Sequence, residues 1–168
     1  QYATHTTTTA TQTQASEGLD LKALTLLVKE VKDASELEKR LNSSGSINNL
    51  DLDDNGVVDY IKVTEYGTTN HKGFSFTVEV SPGDIQEVAT IELVKEQQQV
   101  AVNTYGNQNI YGPGYSYHNR YDLADVLIVA WLFGAFDRPV YYSPYGYGNY
   151  PTYYGAGYSR TPTSQYRS

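Results

Sequence analysis

GFSFTVEVS, residues 73–81, alternates without interruption: Phe74, Phe76, Val78 and Val80 fall on one side, and Ser75, Thr77, Glu79 and Ser81 on the other. A period of two is that of a strand with one buried face. The pattern continues on both sides. After the break Ser81-Pro82-Gly83-Asp84, a strand is expected over about Glu87–Lys95, with Ala89, Ile91 and Leu93 inward. Another is expected over Gln99–Tyr105, with Val100 and Val102 inward. Before residue 73, across Gly67–Lys72, the β-branched run in 57–66 predicts a first strand, Val57–Tyr66. The breaks are short enough for hairpins, so the four strands form an antiparallel meander with one oily face. Two amphipathic helices precede it. In 19–33, Leu21, Leu24, Leu27, Val28 and Val31 share one helical face. A shorter helix follows, with Ser35 and Glu38 as a capping box, Leu37 and Leu41 at i,i+4, and Gly45 as its stop. The expected fold is α+β: two N-terminal helices packed on a four-stranded antiparallel meander over residues 17–105.

Between helices and sheet lies NLDLDDNGVVDYIKVTEY, residues 49–66. Asp51, Asp53, Asn55, Gly56 and Asp59 fall at positions 1, 3, 5, 6 and 9 of a calcium loop, and the Val57 carbonyl would be the position-7 ligand. Alternate side chains deliver oxygens to one side of a tight turn, and Gly56 lets the backbone turn sharply. Position 12 is Lys62, where an EF-hand has a bidentate Glu. The expected ligands for one Ca2+ are therefore Asp51, Asp53, Asn55, Val57 and Asp59. Thrombospondin-type and dockerin-like loops share this front half. The alternative is an Asx-capped turn without metal.

The succession of two helices, INNLDLDDNGVVDYIKVTEYG, FSFTVEVS, IQEVATIEL and NIYGPGY resembles a family of uncharacterised secreted proteins of Gram-negative bacteria, over roughly residues 19–115. The D-x-D-x-[DN]-G-x-x-D-Y-[IL] core and the [QE]-[DE]-V-A-x-I-E strand carry the resemblance. It implies an exported domain with an acidic loop, often followed by a Tyr/Pro/Gly-rich tail, and brings no activity with it.

The flanks differ in composition. Residues 1–16 hold seven Thr and no Asp, Glu, Lys or Arg. Such a leader reads as low-complexity or glycosylated chain, yet Thr favours extended backbone that can add to a sheet edge on another molecule. Fourteen of the seventeen Tyr lie from Tyr105 onward. Residues 106–121 read as a Gly/Tyr loop. An apolar helix is expected over 122–137, capped by Asp122, with 123–136 nearly all apolar. Fourteen residues are too few for a bilayer, which takes about 20. A helix apolar all round is buried, either in the domain core or against neighbouring subunits or a membrane surface. Residues 138–168 form a Tyr/Gly/Pro-rich tail suited to adhesive contacts.

Charge follows the same division. The net charge is −7, with sixteen acids against eight bases in 17–96 and no acid after Asp137. An acidic body with a mildly basic tail can attract copies of itself, and no dense basic face exists for nucleic acid. The absence of Cys excludes disulfides and thiolate chemistry. No Met is present, which points to a cut after a secretory signal and Gln1 as a mature N-terminus. His5, His71 and His118 are scattered, and no nucleophile–base pair or phosphate loop is visible, so no enzyme is expected. The reading is an exported structural protein that self-assembles head to tail into an extracellular fibre or surface layer. The alternative is a monomeric cell-envelope binding module whose Tyr-rich tail grips a glycan or an envelope protein. A weaker one is a membrane-surface protein anchored by 123–136.

Overall fold

A computed structural model describes residues 18–43, 46–52, 55–134 and 138–154. It has an α+β architecture. Among the described residues there are four α-helices: α1 (Leu21–Glu30), α2 (Ala34–Leu41), a single turn α3 (Gln108–Tyr111) and α4 (Ile128–Gly134). Five strands, β1 (Lys62–Gly67), β2 (His71–Ser81), β3 (Asp84–Glu96), β4 (Gln99–Gly106) and β5 (Ser116–Asp122), form one antiparallel sheet in sequence order.

The expected inward positions of β2, β3 and β4 pack as read. Phe74, Phe76, Val78, Ala89, Ile91, Leu93, Val100 and Val102 are buried, while Val80 is partly buried. Against them lies the stripe of α1, with Leu21, Leu24 and Val28 buried, Val31 buried just after it and Leu27 partly so. The β2–β3 turn has Gly83 at φ +83°, the conformation a Pro-Gly turn requires.

The sheet has five strands where four were expected. SYHNRYD, within the stretch read as a loop, pairs along its length with β4, from Tyr105↔Ser116 to Gln99↔Asp122. It is an edge strand, polar outside, with Tyr117 and Tyr121 packed on the core. The first strand also starts later than its β-branched residues predict. Residues 57–61 lie outside the five-stranded ladder, and at Asp59 and Ile61 side chains take the place of a strand partner. The Asn42 amide accepts from the Ile61 N–H (2.7 Å) and donates to the Ile61 carbonyl (2.8 Å), and Asn48 donates to the Asp59 carbonyl (2.8 Å).

The caps differ too. Helix α2 is capped by Asp33, which accepts from the Glu36 N–H at 2.8 Å, and Glu36 reaches back to the Lys32 N–H at 2.9 Å. The Ser35–Glu38 box does not form; Glu38 is buried instead. Gly45 lies outside the described residues. The apolar stretch after Asp122 is shorter in helix than expected. A 3-10 turn, Leu123–Asp125, precedes α4, and Asp122 makes no side-chain cap bond. Val126, Ile128, Val129 and Leu132 join the core of their own chain, while Leu127 is 60% exposed. Of the burials expected for this stretch, the domain core is the one these four residues take. No helix among the described residues is long and apolar enough to cross a membrane.

Candidate functional site

Two features adjoin at Tyr60: the acidic turn of residues 51–59 and a seat for the tail. In the turn, Asp51 Oδ1 accepts from the Asn55 N–H (3.2 Å) and Oδ2 from the Gly56 N–H (2.8 Å). Asn55 Oδ1 accepts from the Val57 N–H at 2.9 Å. Gly56 takes φ +85°, which a side chain would resist. Asp59 reaches back so that Oδ2 accepts from the Leu52 N–H, and its own N–H donates to the Leu50 carbonyl at 2.8 Å. The positions 1, 5 and 9 expected from the sequence are thus gathered on one closed turn, and Asp53 lies outside the described residues. These bonds are those of an Asx-type turn, and they also fit the front half of a calcium loop. The donor set is all oxygen, as a hard cation requires. Among the described residues no three His, Asp or Glu side chains form a metal-holding group.

The tail seat is built on three acids, two of them at inward positions. Glu38 lies on the buried face of α2, with Ala34, Leu37 and Leu41. It accepts four hydrogen bonds: from Tyr60 Oη (2.7 Å) and the Val63 N–H (3.2 Å) of the body, and from Tyr141 Oη (2.9 Å) and Ser143 Oγ (2.7 Å) of the tail. No cation stands among these partners. Burial pushes its carboxyl above the ordinary value, and the four donors only partly offset this.

Glu65, 2% exposed, shares the inward parity of Val63 on β1. The Arg138 guanidinium binds it in a two-pronged fork, both bonds 2.8 Å, and the Tyr141 N–H adds a third at 2.9 Å. Lys72 stands 3.9 Å away. Burial pushes the Glu65 carboxyl up, but Arg138, the Tyr141 N–H and Lys72 outweigh it and leave it below the ordinary value. Arg138 is held from behind as well: it donates to the Trp131 carbonyl (3.1 Å) and its guanidinium lies 3.6 Å over the Trp131 ring. A third acid, Glu79, accepts from the Tyr147 N–H (3.2 Å), the Gly83 N–H (2.9 Å) and Lys62 (3.4 Å).

Between these acids the tail runs along the outer edge of β1. The Glu65 N–H donates to the Tyr141 carbonyl (2.8 Å) and the Ser143 N–H to the Val63 carbonyl (3.1 Å), flanking an antiparallel bridge Thr64↔Tyr142. Farther on, four tail tyrosines surround Tyr60. Tyr150 stacks on it at 4.6 Å between centroids, Tyr145 and Tyr154 meet it edge-on, and Tyr153 Oη lies 2.7 Å from its hydroxyl. Tyr154 Oη donates to the Val58 carbonyl, one residue from the expected metal-binding carbonyl of Val57. The tail's attachment to its own body was not read from the sequence. The available signal was two glutamates at positions whose helical and strand parity face the core.

No family model matches this chain, and no curated protein and no solved structure matches it.

Proposed function

We propose that this is an exported structural protein that self-assembles into an extracellular fibre or surface layer. The observation that carries the reading is the state of the two sheet edges. One edge, β1, is taken by the tail at Tyr141–Ser143. The other, β5, pairs only with β4 among the described residues. An edge strand's outward N–H and C=O groups are a template for another strand, and the leader of 1–16 combines strand-favouring Thr with the absence of Asp, Glu, Lys and Arg. In this reading Tyr2–Thr13 of one copy adds to β5 of the next. Such a contact is heterologous, and where it does not close it propagates a filament. Main-chain bonds carry most of the binding, so single Thr→Ala changes in the leader leave assembly nearly intact. Thr7→Pro removes a donor and blocks it. Sedimentation of the two variants beside the unaltered chain tests this; equal pelleting of all three would contradict it.

Asp51, Asp53, Asn55 and Asp59, with the Val57 carbonyl, are proposed to hold one Ca2+ that tightens the turn beneath the tail. Without a position-12 acid its affinity falls in the weak extracellular range, on the order of 10⁻⁴ to 10⁻³ M. No catalytic role is assigned. The alternative, a monomeric envelope-binding module, draws support from Tyr142 and Tyr147, 67% and 52% exposed on the seated tail. It predicts discrete particles and retention on envelope glycan.

A further inference from the structure

Without the segment beyond Pro139, two buried acids of the body lose part of their donor set. Glu38 would lose the Tyr141 and Ser143 hydroxyls, half of its four bonded donors. Glu65 would lose the Tyr141 N–H, and the Val63 carbonyl and Glu65 N–H of the β1 edge would lose their partners. Taking donors away from a buried carboxyl group and from a strand edge is costly, so the seat calls for an occupant. The chemistry of the seat specifies that occupant: an extended segment without acids, with a Tyr and a Ser two residues apart and aromatic rings to follow. This chain's own tail is such a segment, and from Pro139 to Ser168 it contains no Asp or Glu.

The anchoring of the tail is uneven. Arg138 is tied to both α4 and β1, through the carbonyls of Trp131 and Leu132 and the carboxylate of Glu65. Beyond Pro139 the tail bonds to Glu38, Glu65, Glu79, Tyr60 and the β1 edge, all groups of the body and none of the connection through Pro139. We infer that the seat formed by Glu38, Tyr60, the β1 edge and Glu79 is an exchange socket. In the assembled state it takes Val140–Tyr154 of a second copy, while Arg138 stays with its own Glu65. Exchange of an identical element creates a strong subunit contact without requiring any new surface. This rests on the self-assembly reading and adds a tail-mediated contact to the leader-mediated one.

The chain has no Cys, so introduced cysteines report cleanly. Thr64 and Tyr142 face each other in the antiparallel bridge, where Cα atoms stand about 4.5–5.5 Å apart, within the span a disulfide accepts. Full-length Thr64→Cys and Tyr142→Cys chains are mixed as monomers, allowed to assemble and oxidised. A Leu26→Cys and Tyr142→Cys mixture is the control, Leu26 being exposed on α1. The inference expects the disulfide-linked heterodimer as the main product of the first mixture and not of the control. It expects the Thr64→Cys/Tyr142→Cys double variant to give a covalent ladder when assembled. If fibres form but the first mixture gives no more dimer than the control, and the double variant closes only within single chains, the socket is filled in cis and the inference falls while the self-assembly reading stands. If neither fibres nor heterodimer forms under any condition, both fall.

Discussion

At the scale of single residues, the tail is secured by carboxylates under opposite pressures. Glu65 sits below its ordinary value of 4.5 because Arg138 and its other donors outweigh burial. A lowered folded-state value means that its stabilisation is present above 4.5 and is lost as pH falls through the folded value. Arg138→Ala leaves Glu65 with the Tyr141 N–H and with Lys72 at 3.9 Å, and breaking a buried pair in this way costs about 3–5 kcal/mol. Urea denaturation at pH 7 should show that loss, and the difference from the unaltered chain should shrink as pH falls below 4.5; a pH-independent difference would contradict the assignment. Arg138→Lys should recover little, since an ammonium cannot form the fork. Glu38 works in the other sense. Its raised folded-state value means that its contribution is fully present below 4.5 and is lost as pH rises through the folded value. Glu38→Ala should cost about 1–3 kcal/mol by stranding its donors. Glu38→Gln should keep most of that, because the hydroxyls of Tyr60, Tyr141 and Ser143 can reverse their roles. Equal denaturation midpoints for the two variants would refute this.

At the scale of elements, the legibility of the sequence tracked the physics of each segment. In β2 one face is apolar and the other polar, so the alternation alone is sufficient. In β5 the inward residues are Tyr117 and Tyr121 and the outward ones polar, amid Gly and Asn, and the same backbone reads as a loop. The closed turn around Gly56 was legible because Asp51, Asn55, Gly56 and Asp59 are local in sequence. The tail seat was not, because Glu38, Glu65 and Arg138 meet only through tertiary contacts. The apolar stretch shows the same limit: its composition demands burial but does not name the surface. The structure separates its neighbours, with Ile128 fully buried and Leu127 60% exposed. Ile128→Lys should therefore unfold the domain, a buried unpaired charge costing several kcal/mol. Leu127→Lys should change stability by no more than about 0.5 kcal/mol. Circular dichroism melts of the pair decide it, and a folded Ile128→Lys would contradict the packing. For the turn, Asp51→Ala should lower the melting temperature most in calcium. It should retain a smaller deficit in EDTA, because the Asn55 and Gly56 N–H groups lose their acceptor. Identical melting of the unaltered chain with and without calcium would remove the metal from the account.

At the scale of the whole molecule, charge and edges divide the labour. The body carries the acids, the tail beyond Asp137 carries none, and the tail closes β1 and leaves β5 as the other edge. In the proposed assembly the β5 edge accepts a strand and the leader of residues 1–16 supplies it. The most direct measurement is electron microscopy of the full chain beside the same chain lacking residues 1–14. The account predicts fibres or sheets from the first and folded, dispersed monomers from the second. Discrete particles from the full chain, or fibres of unchanged length from the shortened one, would contradict it.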